Sequence, residues 1–582
     1  MPDTKQDVLE MLRDLTELTL LEDGDPQSFR VRAYENATQA IATQANDLGR
    51  LSLKDLQKIR GIGKSTSEKI RELLDTGHVA KLELLRQKYP RSLVALLRLQ
   101  GVGPKAVRRL QAELGVNSLD DLRRALSEQR LRGLKGFGEK SEQKLAQAIS
   151  RLEREGALDR TPISVALPHA QRLVGELSQV PGVSHASYCG SLRRFSETVG
   201  DIDIVVAAQN ALAVMEAVVA LSAVERVLAR GETKTSIVTS RGIQVDVRVV
   251  QPQQLGAALL YFTGSKSHNV KLRQRALARG WTLNEYALSE LNSGRIIASE
   301  TEQEIYAALG LPFISPELRE DAGELAAAER GDLPGPYPSL SGDFHVHTSL
   351  SGDGRDGLEE MVAAARARGY GVLALTDHAE GTLSGVSRQA LLDQRERIRA
   401  LGRELGESLR LLHGVELNIG PEGQLDYDAE FRQTFDWCVA SVHSHFELDR
   451  ASQTARLLTA MRDPSVRMLG HLSARMIGAR PPIELDLPQV FEAARDHGIA
   501  IEINGALPRL DPGPEALAEA VRCGTTFLLT SDAHATTELA LTDFAARHAL
   551  RAHVPVESVA NAWPRERLLS FVGSRHARAG LP

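Results

Sequence analysis

Asp201 and Asp203 stand two apart in the apolar run DIDIVVA, so a strand there presents both carboxylates on one face. Asp246 interrupts a second β-rich run, IQVDVRVV, joined to KTSIVTS through Arg241-Gly242, a hairpin signal. Three carboxylates converging from neighbouring strands repel one another unless cations lie between them. Two Mg²⁺ ions would neutralise them, activate a hydroxyl and stabilise a departing pyrophosphate. Ten residues before the aspartate pair, Gly190-Ser191 opens a strand-to-helix turn suited to phosphate oxygens, with Arg194 adding charge.

A second constellation lies further along the chain. Of 16 histidines, 12 follow residue 340. Short apolar runs recur there, each ending in a residue able to bind a metal. DFHVHTS carries His345 and His347, VLALTDH ends in His378, and LLHGVEL reaches Glu416. WCVASVHS reaches His443, VRMLGH reaches His471, and FLLTSDAH ends in Asp532 and His534, while Asp353 follows the first run. Imidazole with carboxylate, and no thiolate, suits Zn²⁺, Mn²⁺ or Fe²⁺ in a reactive rather than a structural site. Such a centre would bind phosphate oxygens and deliver hydroxide to phosphorus. Asp377 is placed to orient a ligand from behind. His445 and Arg475 are candidates for a substrate phosphate, whereas His413 and His497 lie on the wrong side of their elements and read as structural.

A third pattern repeats near the start: IRGIGKSTSEKI, LQGVGPKAVRRL and LKGFGEKSEQKL. Each is a Gly-apolar-Gly turn (Gly61/Gly63, Gly101/Gly103, Gly136/Gly138) followed by a helix carrying lysine, Lys64 and Lys105 among them. The glycines permit a tight turn and leave the next helix's first N–H groups bare for a phosphate. The pattern resembles the helix–hairpin–helix motif, which grips DNA backbones without reading sequence.

The elements that must hold these residues follow from the flanking patterns. Residues 184–250 read as α/β. After residue 340, apolar runs alternate with amphipathic stretches such as LEEMVAAARARG and LPQVFEAARDHG, the signature of a β/α barrel with its functional groups at strand ends. The acidic, Ala-rich stretch 316–339 reads as a connector. The expected fold is therefore multidomain α/β: a helical front part, an α/β palm and a distorted β/α barrel. The expected boundaries are 1–85, 86–155, 156–252, 253–315, a linker at 316–339, and 340–582.

With 582 residues, the chain is too long for one core. Its net charge of −6 conceals an asymmetry, because residues 51–150 carry 21 Lys and Arg against 11 Asp and Glu, a local charge of +10. A basic front with acidic material behind fits phosphate binding in one part and cation binding in another. Three scattered cysteines argue for a reducing compartment, and the absence of a long apolar run argues against a membrane span.

GSLRRFSETVGDIDIVV, VDVRVV and YFTGSKSHN closely resemble family X DNA polymerases, over about residues 1–315. The resemblance implies that Asp201 and Asp203 bind both metals and that Asp246 serves the primer-side one. It places Ser191 and Arg194, in a turn with Gly190 and Gly200, on the incoming triphosphate. Tyr261, Phe262 and Gly264 would contact the nucleotide sugar, Asn269 the base edge and Arg273 the template side. FRVRAYENA and GIGKSTSEKI resemble the amino-terminal domain of polymerase beta-like enzymes, where a lysine at the position of Lys69 forms a Schiff base with an abasic sugar. This chain has Arg30 where the animal enzymes have a lysine.

HVHTSLSGDG, TDH, GVE, SVHS, GH and SDAH resemble the PHP (polymerase and histidinol phosphatase) domain over about 341–565. Carried over, His345, His347, Glu416 and Asp532 bind one metal, Glu416, His443 and His471 a second, and Asp353, His378 and His534 a third. Together the two halves resemble bacterial family X DNA polymerases. That implies a cytoplasmic, nucleoid-associated monomer filling short gaps in DNA repair from dNTPs on gapped or nicked DNA. It also implies Mg²⁺ or Mn²⁺ at the first site, and at the second a metal-dependent 3′→5′ exonuclease with end-processing or abasic-site cleavage. The alternatives are a DNA-binding protein acting chiefly through its PHP nuclease, and a PHP small-molecule phosphatase.

Overall fold

The computed structural model describes residues 160–381 and 384–573 without interruption and most of 4–133; residues 1–3, 26–27, 43–47, 49–50, 60, 90–92, 94–95, 97–102, 118, 129, 134–159, 382–383 and 574–582 lie outside the description. The chain divides into two compact units, Met1–Asp159 and Arg160–Pro582.

The first unit is helical. Thr4–Asp23, Phe29–Ala42, Lys64–Thr76 and Pro104–Leu114 are its longer helices. They enclose Leu12, Leu15, Leu21, Ile41, Ile70, Val107 and Leu110.

The second unit opens with a five-stranded palm. Its strands are β1 (Val183–Tyr188), β2 (Ile202–Ala208), β3 (Val224–Arg230), β4 (Lys234–Thr239) and β5 (Gln244–Val250), in the order β1-β2-β5-β4-β3. Only β2 and β5 run parallel, so the carboxylates of both lie toward the same end. Helices Leu255–Thr263 and Lys266–Leu277 then lead to a small antiparallel sheet of β6 (Trp281–Leu283), β7 (Leu288–Glu290) and β8 (Ile296–Ala298). Ser265 caps the second helix by accepting from the His268 N–H.

The last part is a seven-stranded all-parallel sheet in sequential order: β9 (Gly342–Asp343), β10 (Val372–Leu375), β11 (Arg410–Asn418), β12 (Trp437–Ser441), β13 (Val466–Gly470), β14 (Ala500–Asn504) and β15 (Phe527–Thr530). A parallel bridge between Val346 and Ala533 joins the first strand's extension to the last strand's, nearly closing a barrel. Strands β10, β12, β13, β14 and β15 are buried at every position, as parallel strands covered on both faces must be.

Palm and barrel share a core. Leu507 and Leu510, from the loop after β14, lie among palm residues such as Phe195, Val199 and Ile202, with Ile477 and Phe544 packed against them. Each leucine buried this way contributes about 1.5–3 kcal/mol. Part of stretch 316–339, read as a connector from its composition, is packed into the fold. Leu318 is buried beside Leu311 and Ile314, and Glu324–Arg330 forms a helix. The Tyr337 hydroxyl donates to the Val554 carbonyl at 2.6 Å. Acidic residues of the stretch are paired within the fold: Glu317 with Arg547, Glu320 with Arg194 and Arg551, and Glu324 with the His268 ring.

Candidate metal centres

Asp203 and Asp246 are register partners on the parallel strands β2 and β5, and Asp201 lies one residue ahead of β2. At the end of β1, the Cys189 N–H donates to the Asp203 carbonyl at 2.7 Å, and the chain turns at Gly190 with φ of 62°. A β-carbon on Gly190 would stand 2.5 Å from Asp203 Oδ2. Glycine is therefore required both by backbone conformation and by the carboxylate beside it.

Burial, then Asp201 and Asp246, push the Asp203 carboxyl up to about 7. Burial also acts against charge on Asp246, but hydrogen bonds from Lys234 and Ser236 outweigh it and hold that carboxyl below its usual range. Lys234 Nζ lies 2.6 Å from Asp246 Oδ2. Three hard oxygen donors that repel one another fit divalent cations such as Mg²⁺ or Mn²⁺.

Around this centre, Ser191 and Arg194 belong to the turn that follows Gly190. Arg194 donates from Nε to Glu320 at 3.0 Å and from Nη1 to the Thr263 carbonyl at 2.5 Å. A β-carbon on Gly264 would lie 3.3 Å from the same Nη1, whereas one on Gly200 would meet open space. Tyr261 and Phe262 meet edge to face, with ring centroids 5.0 Å apart. Arg273 lies over the Tyr261 ring at 5.1 Å, and Asn269 Nδ2 donates to the Tyr261 carbonyl at 2.7 Å. The sequence reading missed Lys234, Glu320 and Glu302, the last binding Arg193 and the buried Arg319.

At the carboxyl ends of the barrel strands, nine side chains converge. His345 Nε2 is 3.4 Å from Glu416 and 3.7 Å from Asp532, and His347 Nε2 is 3.4 Å from Asp532. His443 and His471 approach Glu416 Oε1 at 3.2 and 2.9 Å. His378 is 2.7 Å from Glu416 Oε2 and 3.3 Å from Asp353, and His534 is 3.6 Å from Asp353. Three groups have ligand atoms mutually within 4.8 Å: His345/His347/Asp532, His378/Glu416/His443 and His347/His378/His534. This grouping cuts across the expected one, because His378 sits between Glu416 and Asp353 and serves both neighbourhoods.

The donor set fits divalent metals on a second ground. His345 Nε2, His347 Nε2, His378 Nδ1 and Glu416 Oε2 are buried without a hydrogen-bond partner among the described residues. His378 and Glu416 approach closely yet are not aligned to hydrogen-bond, as atoms aimed at a shared third point would be. Opposite ring nitrogens are anchored: His345 Nδ1 on Glu502 at 2.7 Å, His443 Nδ1 on Asn418 at 2.6 Å, and His534 Nδ1 on the Asp532 carbonyl at 2.9 Å. Anchoring one nitrogen frees the other for a metal.

Burial opposes charge on His345, but Glu502, Glu416 and Asp532 outweigh it and hold the ring well above its usual range. Burial, with His378 and His534 nearby, brings His347 down to about 4 despite the Asp532 carboxylate beside it. Glu416 and Asp532 are held well below the usual carboxylate range by the histidines around them, against burial.

Glu502 was missed by the sequence reading. It is one buried carboxylate in the apolar run AIEIN, and it also accepts from the His471 N–H, from Thr530 and from Asn504. Asp377 accepts from Thr348 and from Ser351, whose hydroxyl in turn accepts the His378 N–H, so it acts on the loop behind His378. Arg475 is not free for a substrate phosphate. It is paired with Glu197 of the palm at 2.6 Å and donates to the Arg509 and Leu510 carbonyls. His445 lies half-exposed, 3.6 Å from Glu447. His413 is buried against Phe435.

In the helical unit, Ile62 is buried between Gly61 (φ of 101°) and Gly63, which precedes helix Lys64–Thr76 without a side-chain cap. Gly103 stands the same way before Pro104–Leu114, whose second residue is Lys105. Gly101, Gly136 and Gly138 lie outside the described residues. Lys69 donates to Ser65 Oγ at 2.7 Å and lies 6.0 Å from the Tyr34 ring; burial lowers its amine. Arg30 pairs with Asp23.

Family models match four stretches: a helix-hairpin-helix domain at 3–79, a SAM-like helix-hairpin-helix tandem at 93–151, a DNA polymerase beta thumb at 258–320 and a PHP domain at 343–506. The chain is 36% identical over 534 residues to the DNA polymerase/3′-5′ exonuclease PolX of Bacillus subtilis, covering 91% of this chain and 92% of that protein. It is 25% identical over 324 residues to DNA polymerase lambda of Rattus norvegicus, covering 50% and 52% of the two chains. It is 32% identical over 170 residues to a probable phosphatase of Vibrio cholerae, 29% of this chain and 64% of that one. Likeness along nine-tenths of both chains, with polymerase thumb and PHP domain present together, identifies this chain as a member of the bacterial PolX family, the family X DNA polymerases with a C-terminal PHP domain.

Proposed function

We propose that the protein fills short gaps in damaged DNA at the palm site and trims 3′ ends at the barrel site. The observation that carries this reading is the presence of two separate donor cages in one compact unit, one of carboxylates and one of imidazoles with carboxylates. The first would hold Mg²⁺ or Mn²⁺ on Asp201, Asp203 and Asp246. The second would hold up to three ions among Mn²⁺, Zn²⁺ and Fe²⁺ on His345, His347, Asp353, His378, Glu416, His443, His471, Asp532 and His534. When bound, such cations supply positive charge to phosphate oxygens and acidify the attacking oxygen. Gly190 and Ser191 offer a turn to the triphosphate, and Tyr261, Phe262 and Asn269 line the nucleotide side. The Gly-x-Gly turns at Gly61/Gly63 and Gly103 offer backbone N–H groups to DNA phosphates.

The test is a 5′-labelled gapped duplex with Mn²⁺, with and without dNTPs. Extension with dNTPs and shortening without them are expected. Asp203→Asn should abolish extension alone, and His345→Ala shortening alone. If both variants match the parent in both assays, the reading fails.

A second activity is favoured by Lys69, whose amine burial shifts toward the neutral form required of a nucleophile. Borohydride reduction should trap an adduct with abasic-site DNA, and Lys69→Ala should lose it. We also read the protein as a cytoplasmic monomer; among the described residues, no helix is long and apolar enough to cross a membrane.

A further inference from the structure

We propose that Arg509 is the residue that grips the substrate phosphate in the barrel site, at the 3′ end of the strand being shortened. The proposal deepens, and rests on, the trimming reading above.

The loop after β14 carries Arg509 between its two leucines. Leu507 and Leu510 are buried in the core shared with the palm, while Arg509 between them remains part-exposed. The backbone there is held from several sides. Arg475 Nε donates to the Arg509 carbonyl at 2.9 Å, and Arg475 also donates to the Leu510 carbonyl. Arg475 itself is fixed by Glu197. Asp511 accepts from the Ser473 N–H at 3.0 Å and from its hydroxyl at 2.8 Å. Such contacts fix the backbone that carries Arg509, so less order remains to be imposed when an anion binds.

The guanidinium sits at the edge of the cage. Arg509 Nε is 3.6 Å from Asp532 Oδ2, whereas Oδ1 of the same carboxylate faces His345 and His347. Among the described residues, that long ion pair is its one close charged contact, and no acceptor hydrogen-bonds its nitrogens. A planar fork of donors with no protein acceptor, beside a centre read as binding phosphate, matches two oxygens of that anion. The neighbouring arginines are committed elsewhere. Arg475 serves Glu197 and two carbonyls, and Arg480 donates to the Ala474 carbonyl and lies 3.9 Å over the Phe446 ring.

The test uses the full-length protein loaded with Mn²⁺ and two probes, a 5′-labelled single-stranded oligonucleotide and inorganic phosphate. Arg509→Gln should raise the oligonucleotide KM by about tenfold or more while changing kcat by less than about threefold, and should weaken phosphate binding by a similar factor. Its Mn²⁺ content should match the parent's, and Arg509→Lys should recover part of the loss. Unchanged KM and phosphate affinity would overturn the proposal. So would a fall in bound Mn²⁺ in the glutamine variant, because Arg509 would then act through the Asp532 ligand. If the parent protein leaves the oligonucleotide intact but binds phosphate, and Arg509→Gln loses that binding, the trimming reading fails and the role of Arg509 stands. If the parent binds neither probe, the assignment of Arg509 falls.

Discussion

Gly190 and Asp203 are in contact across the end of β1 and β2, so close that one methyl group on the glycine would overlap the carboxylate. Gly190→Ala should therefore force Asp203 out of line with Asp246, and it also places alanine at a positive φ, costing about 1 kcal/mol or more. Primer extension should fall at least about a hundredfold, because a displacement of this size at reacting groups costs that much. End trimming in the barrel should be unchanged. Equal loss of both activities would point to global unfolding instead.

Glu502 holds His345 by its Nδ1 and so turns Nε2 toward the cage. Glu502→Gln should keep the volume but lose the charge that fixes this tautomer. Mn²⁺ affinity of the barrel should drop about 10- to 100-fold, as for other residues that orient metal-binding histidines. Calorimetric Mn²⁺ titration of an Asp201→Asn/Asp203→Asn background isolates this site. Trimming should recover at high Mn²⁺, which a folding defect would not permit.

His413 is buried against Phe435, and burial, helped by Arg395, pushes its ring down to about 3. The unfolded chain binds the proton more readily, with an ordinary value near 6.5. Stability from this site is complete above that value and is lost as pH falls toward 3. By pH 5 the loss is about 2 kcal/mol. His413→Leu should flatten the stability–pH curve between pH 6.5 and 5 by about one proton's worth, measured by urea unfolding of the full chain. An unchanged slope would mean that the ring is already protonated in the fold.

Leu510 comes from the barrel but is buried in the palm's core. Leu510→Ala should cost about 2–5 kcal/mol, the range for a large-to-small change in a packed interior. The palm and barrel should then lose their common melting transition and unfold in separable steps by calorimetry. A single transition shifted by less than about 1 °C would show that this contact does not join them.

Much of this protein is determined by local sequence. Asp203 lies in its strand and Asp201 just ahead of it, a spacing of two that is legible in the sequence alone. Gly61-Ile62-Gly63 makes its turn from glycine's freedom at positive φ and from one buried isoleucine. The histidines that end apolar runs mark strand ends, because a buried parallel strand is uniformly apolar until it reaches the site. Register, partner choice and rank among like residues were settled by tertiary structure. The aspartates of β2 and β5 meet because two strands some forty residues apart pair in parallel with Asp203 beside Asp246. Glu502 is one acid in an apolar run until His345, 157 positions away, folds against it. Arg475 reads as a phosphate candidate in the linear chain, but the fold supplies Glu197 to occupy it. An ion pair between distant segments leaves no periodicity to read, since its energy depends on a distance that exists only after the chain has packed.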